Sequence, residues 1–175
     1  MIPIAQAAEE FLSHKRIAVA GVSREHGGKH GGNVIYLRLK ERGYQAFPVN
    51  PNADTVEGDR CWHDLAAIEG GVDGVVIATN PAASADVARQ VVALGIPRAW
   101  IHRAFGAGSR SADAVDILKA GGVTVIEGGC PLMFGATSDG GHRFMKSFLT
   151  WTGAVPRTVT EATPPAPPAG PANPA

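Results

Sequence analysis

The feature that most constrains this chain is the run Arg16-Ile-Ala-Val-Ala-Gly21, followed by glycines at 27, 28, 31 and 32. Ile17 to Ala20 are apolar without alternation, the pattern of a strand buried on both faces. The run stops at Gly21, and apolar residues recur at helical spacing from about Asn33, with Val34, Leu37 and Leu39 among polar neighbours. A buried strand, a glycine turn and a helix start, in that order, aim backbone N–H groups at a point where an anion can sit. A strand covered on both faces also needs parallel neighbours and helices on each side.

The rest of the chain supplies those neighbours. Residues 4–14 place Ile4, Ala7, Ala8, Phe11 and Leu12 on one helical face, opposite Gln6, Glu9 and Glu10. The helix from about Asn33 to Arg42 ends at Gly43, a residue suited to a left-handed cap. Gln45 to Asn50 reads as a second strand, and Pro48 assigns it to an edge or a strand end. After a turn at Pro51–Asp54 comes a connection from Gly58 with a stub of helix at Asp64–Ile68. Val72 to Thr79 is strongly apolar and reads as the central strand. Asn80-Pro81 opens a helix through Val87, Val91, Val92 and Leu94, closed by Gly95. Arg98–His102 is a fourth strand, Phe105–Gly108 a loop, Ser111–Ala120 a helix ended by Gly121 and Gly122, and Val123–Ile126 a fifth strand.

Strands alternating with helices across short connections predict an α/β fold: a doubly wound parallel sheet of about five strands, Rossmann-like, with helices on both faces. A last helix is expected from about 139 to 151, with Phe144, Phe148, Leu149 and Trp151 serving the core or a homodimer contact. From 153 the composition changes. Seven of the 13 prolines lie between Pro156 and Pro174, so the expected organisation is one domain over 1–152 and a disordered Pro/Ala-rich tail over 153–175.

Composition narrows the function classes. Lys+Arg and Asp+Glu both number 16 in 175 residues, which gives no net field towards nucleic acid or anionic membrane. No apolar stretch approaches the roughly 20 residues a membrane helix needs, and the first residues lack a secretory pattern. A cytoplasmic protein is the expectation. Cys61 and Cys130 form no CxxC pair, which argues against zinc or a disulfide framework.

In a sheet of this kind ligands bind outside the carboxyl ends of the strands. The residues that gather there are Gly21, Val22, Ser23, Arg24 and Lys29 after the first strand, then Asn50, Pro51 and Asn52 after the second. Thr79, Asn80 and Pro81 come after the third, His102 and Arg103 after the fourth, and Cys130 after the fifth. Hydrogen-bonding groups, glycines and a few cations suit a phosphorylated, nucleotide-like ligand. The register from Gly21 reads Gly-Val-Ser-Arg-Glu-His, which lacks two of the three glycines of the dinucleotide fingerprint. The second strand ends in Asn50 where that fingerprint places an acid for the ribose diol. A nicotinamide cofactor is therefore disfavoured. Ser23, Arg24 and Lys29 instead suit a ligand richer in phosphate, such as coenzyme A with its 3′-phosphate.

Gly21-Val-Ser23, Gly43-Tyr44, Pro48-Val-Asn-Pro51, Thr79-Asn-Pro81 and Cys130-Pro131, in this order over about residues 8–135, resemble the small CoA-binding-domain proteins. These are similar to the N-terminal domain of the succinyl-CoA ligase alpha subunit. The resemblance implies a CoA groove lined by Gly21, Ser23, Arg24, Asn50, Pro51, Thr79, Asn80 and Pro81. The chain departs from the pattern in the Gly- and His-rich loop Glu25–Gly32 and at His102-Arg-Ala-Phe-Gly106. It has no room for the ligase's second domain with its phosphorylated histidine, and His142 has no triad partner in the sequence. The expected function is binding of CoA or an acyl-CoA by a carrier, sensor or regulatory protein without catalysis of its own. The alternatives are an NAD(P)-binding oxidoreductase-like protein, which rests on fold analogy, and an interaction subunit with a vestigial cleft whose tail recruits a partner. A thiol at Cys130 facing the pantetheine sulfur is weighed against a small buried apolar residue. Asn50 and Asn80 are weighed between ligand contacts and simple turn caps.

Overall fold

A computed structural model of the chain describes residues 1–25, 30–103, 108–135 and 155–162, together with 138, 141, 147, 150 and 151. In chain order the elements are β1 (Ile2–Pro3), α1 (Ile4–Ser13), β2 (Arg16–Ala20), α2 (Gly31–Glu41), β3 (Gln45–Val49), β4 (Thr55–Val56) and β5 (Asp59–Arg60). They continue with β6 (Gly74–Ile77), α3 (Pro81–Ala93), β7 (Arg98–Ile101), α4 (Ala112–Ala120), β8 (Thr124–Glu127), a 3₁₀ turn (Pro131–Met133) and β9 (Thr158–Val159). Among the described residues no helix is long and apolar enough to cross a membrane.

The main sheet has five parallel strands in the order β3-β2-β6-β7-β8. The apolar Val72–Thr79 stretch supplies the central strand, as its composition predicts. Pro48 lies on edge strand β3, and its carbonyl, which faces away from β2, accepts from the Trp62 N–H at 2.9 Å. A residue without an N–H is tolerated there because the bridge to Trp62 on that side uses the Pro48 carbonyl and the Asn50 N–H and asks for no donor at Pro48.

Strand alternation divides the core. Register places Val19, Val76, Trp100 and Ile126 in one row across four strands, and this row packs with Phe11, Leu12, Ile35 and Leu39 of α1 and α2. The neighbouring row of Ala18, Val75, Ala99 and Val125 faces Ala88 and Val91 of α3 and Leu118 of α4. The near-continuous apolar strands of the sequence are thus explained by burial on both faces. Ile4, Ala7, Ala8, Phe11 and Leu12 are the buried residues of α1, the face its helical spacing assigns.

Two expectations are corrected. Asp64–Ile68 is not a stub of helix but a run of turns. Asp64 Oδ1 accepts from Ala67 N at 2.8 Å, and Leu65 N donates to Gln90 Oε1 at 3.0 Å. Side chains thereby satisfy backbone groups that a helix would have paired. The described part of the expected tail, residues 155–162, packs on the domain. There β9 pairs antiparallel with β1, Val155 and Val159 are buried, and Ala162 N donates to Thr124 Oγ1 at 3.2 Å. Two apolar side chains in the Pro- and Thr-rich composition are enough to anchor this stretch. Residues 163–175 and most of the helix expected at 139–151, with His142, Phe144, Phe148 and Leu149, lie outside the described residues.

Trp100 is the largest fully buried side chain. It meets Phe11 and Phe134 with ring centroids 5.4 Å apart in each case, and its Nε1 donates to Gly128 O at 3.0 Å. In urea unfolding, Trp100→Ala is expected to cost about 3–5 kcal/mol, from the cavity and the lost transfer energy. Trp100→Phe, which mainly strands the Gly128 carbonyl, should cost about 1–3 kcal/mol. Equal losses for the two would show that the ring contacts contribute little.

Candidate functional site

The chain leaves β2 through α2 to reach β3 on one side, then crosses back to β6 on the other side of β2. Where connections depart in opposite directions from adjacent strands, a crevice opens at the strands' carboxyl ends. A cleft of about 500 Å³ lies there, with Ala20 and Gly21 after β2, Val49 to Asn52 after β3, and Ala78 to Asn80 after β6 on its walls.

Two glycines set its floor. Gly21 has φ +100°, and a Cβ on it would lie 2.5 Å from the Ala78 carbonyl carbon and the Thr79 nitrogen. A Cβ on Gly32 would lie 2.6 Å from the Gly21 carbonyl oxygen. Only residues without side chains let the exits of β2 and β6 and the first turn of α2 come this close. The N-cap of α2 is His30, and among the described residues its side chain makes no capping bond. As at any helix start, the first-turn N–H groups have no partner within the helix.

Asn50 and Ser23, expected at the same edge, are held together there. The Asn50 amide donates to Val22 O at 2.6 Å while its oxygen accepts from Asn52 N at 2.8 Å. Ser23 N donates to Asn33 Oδ1 at 2.6 Å, and Ser23 O accepts from Asn33 Nδ2 at 2.9 Å. Asn80 caps α3 through a bond from Ala83 N at 3.0 Å. Both asparagines therefore act as turn caps, and both line the cleft. The Thr79 hydroxyl lies 2.9 Å from Ser84 Oγ, and buried Ser84 in turn donates to Ser109 O at 2.7 Å. This network satisfies polar groups under the floor.

The remaining expected residues are less uniform. Pro51 and Asn52 line the cleft. Val22 is buried in the core on the α1/α2 side, Arg24 is exposed, and Pro81 is exposed at the first position of α3. The His102 imidazole sits beside α2, since a Cβ on Gly31 would lie 3.4 Å from its Cε1. Burial holds that imidazole below the ordinary histidine range. Cys130 is packed in the α1/α2-side core with Leu132, Met133 and Phe134, and burial pushes its thiol up to about 11. That placement corrects the expectation of a thiol at the cleft, and it has a simple cause: the step from β8 into the 3₁₀ turn points the small side chain inward. Lys29 lies outside the described residues.

Several lining residues escaped the reading of the sequence. Ala83, Asp86, Val87 and Gln90 form one face of α3 over the cleft. Their i, i+3, i+4, i+7 spacing was available once a helix was placed after Asn80-Pro81. His30, His63 and Leu65 complete the walls; His63 comes from the irregular connection, where no periodicity marks it.

Comparison with known proteins agrees with this geometry. Residues 15–136 match the family described as the CoA binding domain. The chain is 29% identical over 123 residues to an uncharacterised protein, YneT, of Bacillus subtilis (strain 168), covering 70% of this chain and 86% of that protein. It is 35% identical over 89 residues to an ADP-forming acetate–CoA ligase of Archaeoglobus fulgidus, where the match covers 50% of this chain and 13% of the ligase. Among solved structures, a hypothetical protein from Pyrococcus horikoshii OT3 shares the fold with a TM-score of 0.63 at 22% identity, over 71% of this chain and 87% of that one. A conserved hypothetical protein from Pyrococcus furiosus is similar at 28% identity with a TM-score of 0.55, over 63% and 90% of the two chains. A match across most of the sheet and all three exits that wall the cleft places this chain in the CoA-binding-domain family.

Proposed function

We propose that the cleft binds coenzyme A or an acyl-CoA, and that the protein acts as a carrier, sensor or regulatory partner without catalysis of its own. The observation that carries this reading is the coincidence of the family match with the start of α2 at His30, the Gly21–Thr79 contact and the Asn50 turn around one cleft. The cleft's volume lies in the range that holds a small organic ligand, about 300–1,000 Å³. N–H groups at the start of α2 suit phosphate oxygens, and exposed Arg24 can add a charge-assisted contact. Ala83, Val87 and Leu65 offer apolar wall to the adenine or to part of the pantetheine arm. Asn50 at the end of β3 supplies no carboxylate for a ribose diol, which weighs against the nicotinamide reading.

Titration calorimetry of purified protein with CoA, acetyl-CoA, ADP and NAD tests the proposal. Heat is expected with CoA, and none with NAD over the same range. Ala83→Trp, which places an indole on the cleft wall, is expected to weaken CoA binding at least tenfold with little change in unfolding midpoint. Binding undiminished by that substitution would move the site elsewhere.

His102 provides a pH test. Its folded value lies below the ordinary one of about 6.5, so the unfolded chain takes up this proton more readily. The stability gained by keeping the ring neutral is present above the ordinary value and lost as pH falls through the folded value. Urea unfolding is expected to show stability falling as pH drops below about 6.5, with a shallower fall in His102→Gln. Parallel pH profiles for the two proteins would remove His102 as the cause.

A further inference from the structure

Outside the cleft walls, one cluster joins three separate parts of the chain. Asn33, on the first turn of α2, is fully buried. Its side chain holds both backbone groups of Ser23, and its Nδ2 also lies 3.1 Å from Glu25 O and 2.9 Å from Glu57 Oε1. Glu57 comes from the turn between β4 and β5, 24 positions further along the chain. It is the one non-glycine residue with positive φ among the described residues, at +52°, and Gly58 is next at +85°.

That backbone is informative. A two-residue hairpin with positive φ at both central positions is a type I′ turn, where Asn, Asp or Gly is the usual first residue. Glutamate gains nothing from the turn itself, since its long side chain does not relieve a left-handed backbone as Asn can. Its carboxylate, however, reaches the buried amide that fixes the loop after β2. A strained residue is retained where the surrounding structure needs it, and such positions cluster at binding sites.

We propose that Asn33 and Glu57 form a clamp that positions the Ser23–Glu25 loop for ligand. Glu57 is a positioning residue: it acts on the loop through Asn33, and the site depends on a hairpin that contributes none of the cleft's described walls. This inference rests on the CoA-binding reading, and the experiment separates the two.

Glu57→Gly removes the carboxylate and relieves the turn, whereas Glu57→Gln keeps an acceptor oxygen. The two variants and wild type are compared by calorimetry with CoA, thermal unfolding, and amide hydrogen exchange without ligand. Glu57→Gly is expected to leave the unfolding midpoint unchanged or higher while weakening CoA binding at least fivefold and speeding exchange at Ser23. Glu57→Gln is expected to restore most of the affinity and the protection. A structural role alone would lower stability and affinity together. Unchanged exchange at Ser23 in Glu57→Gly overturns the clamp, with or without ligand. If wild type gives no heat with CoA but exchange at Ser23 still quickens in Glu57→Gly, the clamp stands as a loop-positioning device and the CoA reading fails. Faster exchange with unaltered CoA affinity overturns its role in binding.

Discussion

The structure depends on a contact between two backbones. Gly21 meets the Ala78–Thr79 peptide so closely that no side chain fits between them, and this happens where the sheet's winding reverses. Adjacent parallel strands with large residues at their exits would splay, and the cleft would open into a broad groove. With glycine at 21 and small residues at 20 and 78, β2 and β6 stay parallel to their ends. Gly32 extends the same closeness to α2, so the helix start is brought over the floor and not beside it.

Side-chain amides then do what a longer ladder of backbone bonds would otherwise do. Asn50 ties the exit of β3 to Val22, Asn33 ties α2 to Ser23, and Asn80 caps α3. Each joins an irregular stretch to a regular element at the carboxyl edge of the sheet. Burying an amide is costly unless its donors and acceptor are all used, and Asn33, fully buried, uses both ends. That makes the edge rigid without the large apolar side chains that would fill the cleft.

This division explains what was legible from sequence. The five strands of the main sheet, the central place of β6, the edge place of β3 and helices α1 to α4 could be read from apolar periodicity and from Pro48, because burial on two faces leaves a direct mark on composition. Gly21, Asn50, Thr79 and Asn80 could be placed at the sheet edge where the cleft lies because strand exits in such a sheet have a fixed address. The Asn33–Glu57 link could not, since it joins residues whose proximity depends on how a short hairpin folds back over α2. The Asp64–Ile68 turns were misread for a related reason: a pair of buried apolar residues, Leu65 and Ile68, looks helical until Gln90 is known to cap the segment. Cys130 shows the opposite failure. Its place after a strand suggested the cleft, but a small apolar side chain turns to the nearest core, and the 3₁₀ turn offered one.

The electrostatics reflect the same economy of side chains. Among the described residues no lysine or arginine lines the cleft, and the carboxylate on its α3 wall, Asp86, is ion-paired with Arg89. The described walls therefore present nearly neutral chemistry to the proposed ligand, which carries several negative charges. On the proposed reading, the described residues attract it through the helix start of α2 and through exposed Arg24. Dipoles act over a short range and only in the right direction, so such a site discriminates by geometry more than by charge. A chain with no net charge and a cleft read by dipoles would draw few anions from a distance and hold only those whose phosphates reach the helix start. On that logic, and on the proposed reading, the position of the Ser23–Glu25 loop matters to recognition, and Asn33 sets it. On the proposed reading, the buried amide of Asn33 thus bears on recognition although it is not among the described cleft walls.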